Sequence, residues 1–163
     1  METLQTANPT GTTAINLGGN ELNNVIRGNL GANTLRGNGG ADSLYAGVDT
    51  VRDAFVYGAQ GDSAIGAHDM IFNFTKQSIV GDPNSDKIDL RPIDADDDLA
   101  DNQAFRFVTA FVAAVGNQAE GQVMVQALGA DTKVLIDLNG DNTADMQIIV
   151  KAVTGLTAGD FWL

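Results

Sequence analysis

Large aliphatic residues return at a fixed interval in the first third of the chain: Leu17, Ile26, Leu35 and Leu44 stand nine residues apart. Laid out on that interval, residues 19–45 form three successive units, Gly19–Arg27, Gly28–Arg36 and Gly37–Tyr45. Each opens with Gly-Asn, carries Asn or Asp at its sixth place and has the aliphatic residue at its eighth. A period of nine fits neither the α-helix, at about 3.6 residues per turn, nor the two-residue alternation of an ordinary strand. It predicts a chain that turns for about six residues, runs as a strand for about three, and repeats. The eighth side chain then points inward and its two neighbours outward.

Past Leu44 the spacing changes. The next inward aromatic residue, Phe55, follows after eleven residues, which predicts a two-residue insertion in the turn. Asp53 then takes the sixth-place role ahead of a strand over Ala54–Tyr57. Two-residue alternation dominates afterwards, at Phe105, Phe107, Thr109 and Phe111, at Val123 and Val125, at Val134, Ile136 and Leu138, and at Met146, Ile148 and Val150. A helix over 104–115 fits that alternation less well. Asp82–Ser85 and Asp94–Asp101 read as loops, and the polar residues 1–13 as a flexible segment.

The turn halves of the units carry the candidate chemistry. Glycine permits backbone angles that a side chain forbids, so carbonyl oxygens can converge on one point. The sixth-place Asp or Asn adds a side-chain oxygen. Carbonyls and carboxylates from stacked turns make the all-oxygen shell of about six to eight ligands that calcium prefers. In such a coil, turns two units apart lie on the same side, which sets Asn24 beside Asp42 and Asn33 beside the Asp49/Asp53 turn. Asp62 and Asp69 follow the last unit and would close the outermost position. The candidate metal ligands are therefore Asn24, Asn33, Asp42, Asp49, Asp53, Asp62 and Asp69, with the carbonyls of Gly37, Gly39 and Gly47. For the first unit a metal-free coil, held by Asn side chains bonding their own turns, competes with calcium.

Composition narrows the partners. A formal net charge of −12 on 163 residues argues against nucleic acid and anionic lipid, both of which need a basic face. It favours a divalent cation that relieves self-repulsion. With no cysteine, disulfides and thiolate metal sites are excluded. No apolar run approaches the ~20 residues of a membrane span. Residues 1–10 lack the basic and apolar segments of a conventional export leader, and three units followed by a tail is the arrangement expected at the end of a longer protein.

These units resemble the RTX (repeats-in-toxin, hemolysin-type) family of calcium-binding parallel β-rolls, whose ideal unit is Gly-Gly-x-Gly-x-Asp-x-aliphatic-x. Gly37–Tyr45 comes nearest. The earlier units carry Asn24 and Asn33 where the ideal has Asp, and Leu22 where it has Gly. The Asp53–Tyr57 strand resembles the last unit of serralysin-type C-terminal domains. The likeness continues through Asp62-Ser63, Asp69–Phe74, Asp86–Leu90, Phe105–Phe107, Glu120–Val123, Thr132–Ile148 and Gly159–Leu163. It implies an all-β chain: a short right-handed parallel β-roll over 14–57, capped by a C-terminal β-sandwich over 58–163 that covers the open edge of the roll. It also implies a calcium-dependent, non-catalytic module of a protein secreted from a Gram-negative bacterium through a type I exporter. The exporter would read an uncleaved terminal signal, here Asp160, Phe161, Trp162 and Leu163; a last strand packed on the sandwich is the competing reading.

Two further features bear on function. Asp137, Asn139, Asp141 and Asp145 begin like an EF-hand loop, but Asn142 stands where a glycine belongs and Ile148 where a bidentate Glu belongs, so a polar hairpin turn competes with a second metal loop. Arg27, Arg36 and Tyr45 sit outward at the ninth places and could contact a polysaccharide, as the regulatory modules of alginate epimerases do. Arg36 is then on the opposite sheet, and the net charge repels a polyanion. The single histidine, His68, rules out a His-Glu-x-x-His zinc motif, and no nucleophile elbow is spaced correctly. The sequence predicts no enzyme.

Overall fold

In the computed structural model, which describes residues 1–96, 99–113 and 121–163, the chain forms thirteen strands and no α-helix among the described residues. Asp97, Asp98 and Glu120, which the sequence reading placed in a loop and next to a strand, lie outside the described residues. The strands are β1 (Glu2–Gln5), β2 (Asn16–Gly18), β3 (Asn24–Arg27), β4 (Thr34–Arg36), β5 (Ser43–Tyr45), β6 (Ala54–Val56), β7 (Asp69–Phe72), β8 (Lys87–Asp89), β9 (Arg106–Phe107), β10 (Gln122–Leu128), β11 (Asp131–Asp137), β12 (Met146–Val150) and β13 (Phe161–Trp162). They make two sheets, one ordered β1-β3-β5-β7-β12-β11-β10-β9 and the other β13-β8-β6-β4-β2.

From β2 to β8 successive strands alternate between the sheets, so neighbours within a sheet are parallel and every second turn stacks on the same side. The nine-residue period becomes two inward ladders. In one sheet Ile26, Leu44, Ile71 and Val150 lie in register. In the other, Leu17, Leu35, Phe55, Ile88 and Phe161 do. Ile26, Leu35, Phe55, Ile71 and Ile88 are fully buried. At roughly 1.5–3 kcal/mol for each such side chain, this core is the main force holding the two sheets face to face. The pairing of Leu35 with Phe55 absorbs the two inserted residues in the turn and leaves the strand register intact.

The C-terminal half continues the same two sheets. β12 pairs in parallel with β7, and β13 with β8, so the strand edges left by the last coil are covered by hydrogen-bonded neighbours. β10, β11 and β12 form antiparallel hairpins, as their alternation predicts.

Two expectations are corrected. Residues 2–5, expected to be flexible, form β1 and pair with Asn24–Arg27, because β3 has an unfilled row of backbone donors and acceptors on that side. All four side chains stay exposed, so no apolar pattern marks the strand. The strand expected from Phe105 through Phe111 shortens to Arg106–Phe107; Val108 still donates to the Val123 carbonyl, and the chain then bends away.

Candidate metal centre

Each coil turn ends in an Asx residue two places before the inward side chain: Asn24 before Ile26, Asn33 before Leu35, Asp42 before Leu44, Asp53 before Phe55, Asp69 before Ile71 and Asp86 before Ile88. The structure strings these into two ladders. On one side the Asn24 N–H donates to Asp42 Oδ1 at 2.7 Å, and the Asp42 N–H to Asp69 Oδ1 at 2.8 Å. On the other, the Asn33 N–H donates to Asp53 Oδ1 at 2.6 Å and the Asp53 N–H to Asp86 Oδ1 at 2.8 Å. All six Asx side chains are buried.

One oxygen of each carboxylate is thus fixed by an N–H of the preceding coil, and the fate of the other differs. Asp86 uses its second oxygen on the Thr75 N–H, so both are taken. Asp42 Oδ2 and Asp69 Oδ2 are buried with no hydrogen-bond partner, and so is Asp49 Oδ2. A buried, unpartnered carboxylate oxygen is costly unless something positive meets it. Burial accordingly pushes Asp42 up to about 6 and Asp69 up to about 8, with further upward pressure from Asp62 on both and from Asp42 on Asp69. Burial raises Asp53 to about 6 and Asp86 to about 7. Tyr57, fully buried, presses its hydroxyl toward Asp69 without reaching hydrogen-bond geometry; burial, then that carboxylate, drives its pKa well above 10. Asp62 sits nearby, half-buried, accepting from the Gly58 N–H at 2.7 Å.

The glycines stand where oxygens crowd. A Cβ on Gly37 would lie 2.0 Å from Asp42 Oδ2, and one on Gly47 would lie 2.1 Å from both Asp49 Oδ2 and the Asn29 carbonyl. One on Gly19 would meet Asn24 Oδ1 at 2.1 Å and the Gly37 carbonyl at 2.6 Å. Gly39 lies against the Glu21 carboxylate, which the sequence reading did not single out. Among the described residues no three acidic or histidine side chains gather into a metal-binding group. An ion here must therefore draw on backbone carbonyls as well as carboxylates. That donor set, hard oxygen throughout, fits calcium.

The other candidates lie elsewhere. Asp137 accepts from the Gly140 and Asn142 N–H groups, Asp145 from the Leu138 N–H, Asn139 from the Asp141 N–H, and Asp141 from the Thr143 N–H. The loop's oxygens are engaged in holding its own turn. Asp160 is buried and accepts from the N–H groups of Gln77 and Thr157 and from the Thr157 hydroxyl. Phe161 and Trp162 form β13, and Leu163 packs on the core. Arg27 and Tyr45 are on one sheet and Arg36 on the other; the Arg27 guanidinium lies 3.8 Å from the centre of the Tyr45 ring, whose other face stacks on Phe72 at 4.3 Å. Asp86, Glu21 and Tyr57 were not anticipated as site residues. The Asx-x-aliphatic spacing in Asp86-Lys87-Ile88 was the readable signal for the first; Glu21 and Tyr57 carry no comparable mark.

A family model described as Peptidase M10 serralysin C terminal matches residues 7–162. The chain belongs to the serralysin C-terminal family. As a serralysin C-terminal domain it is an RTX-type β-roll, related to the non-catalytic end of those proteases. A solved structure, the AlgE6R2 subunit of the Azotobacter vinelandii mannuronan C5-epimerase in solution, is similar at 16% identity with a TM-score of 0.57, covering 92% of this chain and 86% of that one. At that identity the likeness establishes the shared roll. No curated protein sequence matches the chain. No helix among the described residues is long and apolar enough to cross a membrane.

Proposed function

We propose that this serralysin C-terminal domain is a calcium-dependent folding and type I secretion module of a secreted bacterial protein, with no catalytic role of its own. The observation that carries the reading is the pair of buried, unpartnered oxygens on Asp42 and Asp69, set between stacked turns of an RTX-type roll. Asp42 and Asp69, with carbonyls of the 37–42 turn and with Asp62 nearby, would hold an ion on one side; Asp49 and Asp53, with carbonyls of their own turn, would hold one on the other. Where calcium is scarce these carboxylates repel and the chain stays open for export. Outside the cell, calcium binds the folded state only and shifts the equilibrium toward it. At tenfold excess over the dissociation constant each site contributes roughly 1.4 kcal/mol, a useful fraction of the ~5–15 kcal/mol that stabilises a typical domain.

In this reading residues 14–57 are the calcium-responsive coil, residues 58–163 the cap that completes it, and Asp160–Leu163 the signal read by the exporter. Circular dichroism of the full chain tests the first part: β-signal that grows with calcium and is lost on chelation is the expected result, and a spectrum indifferent to both rejects it. Deleting Asp160–Leu163 tests the second, with loss of export expected and normal export rejecting the signal. A second reading, polysaccharide binding, is favoured by the groove of about 320 Å³ lined by Gln5, Thr6, Arg27, Tyr45 and Asn73, where Arg27 has no acidic partner among the described residues. Titration with alginate oligomers that leaves the Arg27 and Tyr45 resonances unmoved removes it.

A further inference from the structure

The turns of the roll do not offer equal sets of oxygens. In the 28–33 turn, the Asn33 side-chain amide donates to the carbonyls of Asn29 at 3.1 Å and Gly31 at 2.6 Å. Across the first and third turns, the Asn38 amide donates to the Gly19 carbonyl at 2.8 Å, and the Ala41 N–H to Asn23 Oδ1 at 3.0 Å. Asn24 bonds within its own turn, accepting from the Asn20 N–H at 2.9 Å and donating to Asn20 Oδ1 at 3.3 Å. N–H donors therefore hold the convergent oxygens of these turns. The contrast is with Asp42, Asp49 and Asp69, each with a buried oxygen that nothing holds.

We propose that Asn33 and Asn38 are built-in substitutes for the ion: their amides satisfy the carbonyls of the outer coil, residues 19–36, so that it closes without metal and calcium is confined to the turns bearing Asp42, Asp62 and Asp69 and those bearing Asp49 and Asp53. The inference rests on the calcium reading above and assigns which turns take part. An amide brings two donors and no net charge, so it draws two carbonyls together without adding to the repulsion a carboxylate would create. The coil it closes presents the Asn24 and Asn33 N–H groups to Asp42 Oδ1 and Asp53 Oδ1, aligning the next turns before any ion arrives. Metal dependence is thereby graded along the roll, absent in its first coil and concentrated in its last.

The test is calorimetric calcium titration of the full chain with thermal melts in chelator, on the wild type, Asn33→Asp and Asn33→Ala. Replacing the donor by a carboxylate should add one calcium equivalent to the wild-type stoichiometry and lower the melting temperature in chelator, to the point of unfolding if the repulsion is large enough. Asn33→Ala removes the donor without adding a ligand, so it should melt lower in chelator with unchanged stoichiometry. Asn33→Asp binding no more calcium than the wild type, or Asn33→Ala melting like the wild type in chelator, overturns the inference while the calcium reading stands. A wild-type chain that binds no calcium overturns both.

Discussion

Replacing Asp69 by Asn should change the stability of this fold in opposite directions with and without calcium. The substitution keeps the Oδ1 acceptor that fixes the Asp42 N–H and removes the charge on the buried, unpartnered oxygen. Burial raises Asp69 from 3.8 to about 8 in the metal-free fold. For a carboxyl group shifted upward, the stabilising contribution is complete below the unfolded value and is lost as pH rises through the folded one. At pH 7 the unfolded chain is ionised here and folding must take up a proton. Between 3.8 and 7, at about 1.4 kcal/mol per pH unit, the cost is roughly 4 kcal/mol. Local relaxation and the shared charge of Asp42 and Asp62 reduce the gain on substitution to about 2–4 kcal/mol. For a chain of this size that corresponds to a rise of roughly 5–15 °C in the chelator melting temperature. In millimolar calcium the variant lacks a ligand, so the wild type gains stability that the variant does not, and the gap closes or reverses. Thermal melts followed by circular dichroism in chelator and in calcium provide the readout. An Asp69→Asn protein that melts below the wild type in chelator would refute the reasoning, because the carboxylate would then be a net support of the empty fold.

Other perturbations test the same physics. Without calcium, stability should increase as pH falls from 8 toward 5, since Asp42, Asp53, Asp86 and Asp69 all sit above their ordinary range, at about 6, 6, 7 and 8; saturating calcium should reverse that slope, and denaturant melts at several pH values measure both. Gly47→Ala sets a methyl group 2.1 Å from Asp49 Oδ2 and the Asn29 carbonyl, so it should cost roughly 1–3 kcal/mol and weaken calcium binding on that side, read by calorimetry. Asp160→Ala leaves the Gln77 and Thr157 N–H groups without their acceptor and should cost about 2–4 kcal/mol in a chemical melt.

What the sequence made legible is whatever the nine-residue period controls. The inward ladder Leu17, Leu35, Phe55 follows from spacing alone, including the eleven-residue step before Phe55, because only one face of each three-residue strand can be buried. The features that stayed hidden depend on neighbours rather than on pattern. β1 forms from four exposed residues because β3 needs a partner, and nothing in Glu-Thr-Leu-Gln announces it. The Phe105–Phe111 alternation promised more strand than its partner β10 pairs with. At the candidate centre, Asp42, Asp53 and Asp69 could be picked out by place in the unit. Which of their oxygens are left bare depends on donors as distant in sequence as Thr75, whose N–H fills the second oxygen of Asp86.

The pairing of Phe161–Trp162 with Ile88–Asp89 gives the order of synthesis a physical meaning. A ribosome emits those two residues some seventy positions after the strand they complete. Until Phe161 and Trp162 have emerged, β8 lacks its outer neighbour, and the nascent chain cannot finish this sheet at whatever speed the rest of it collapses. The chain thereby carries a delay written into its topology: completion of this sheet waits for residues 161–162, whichever ions are present.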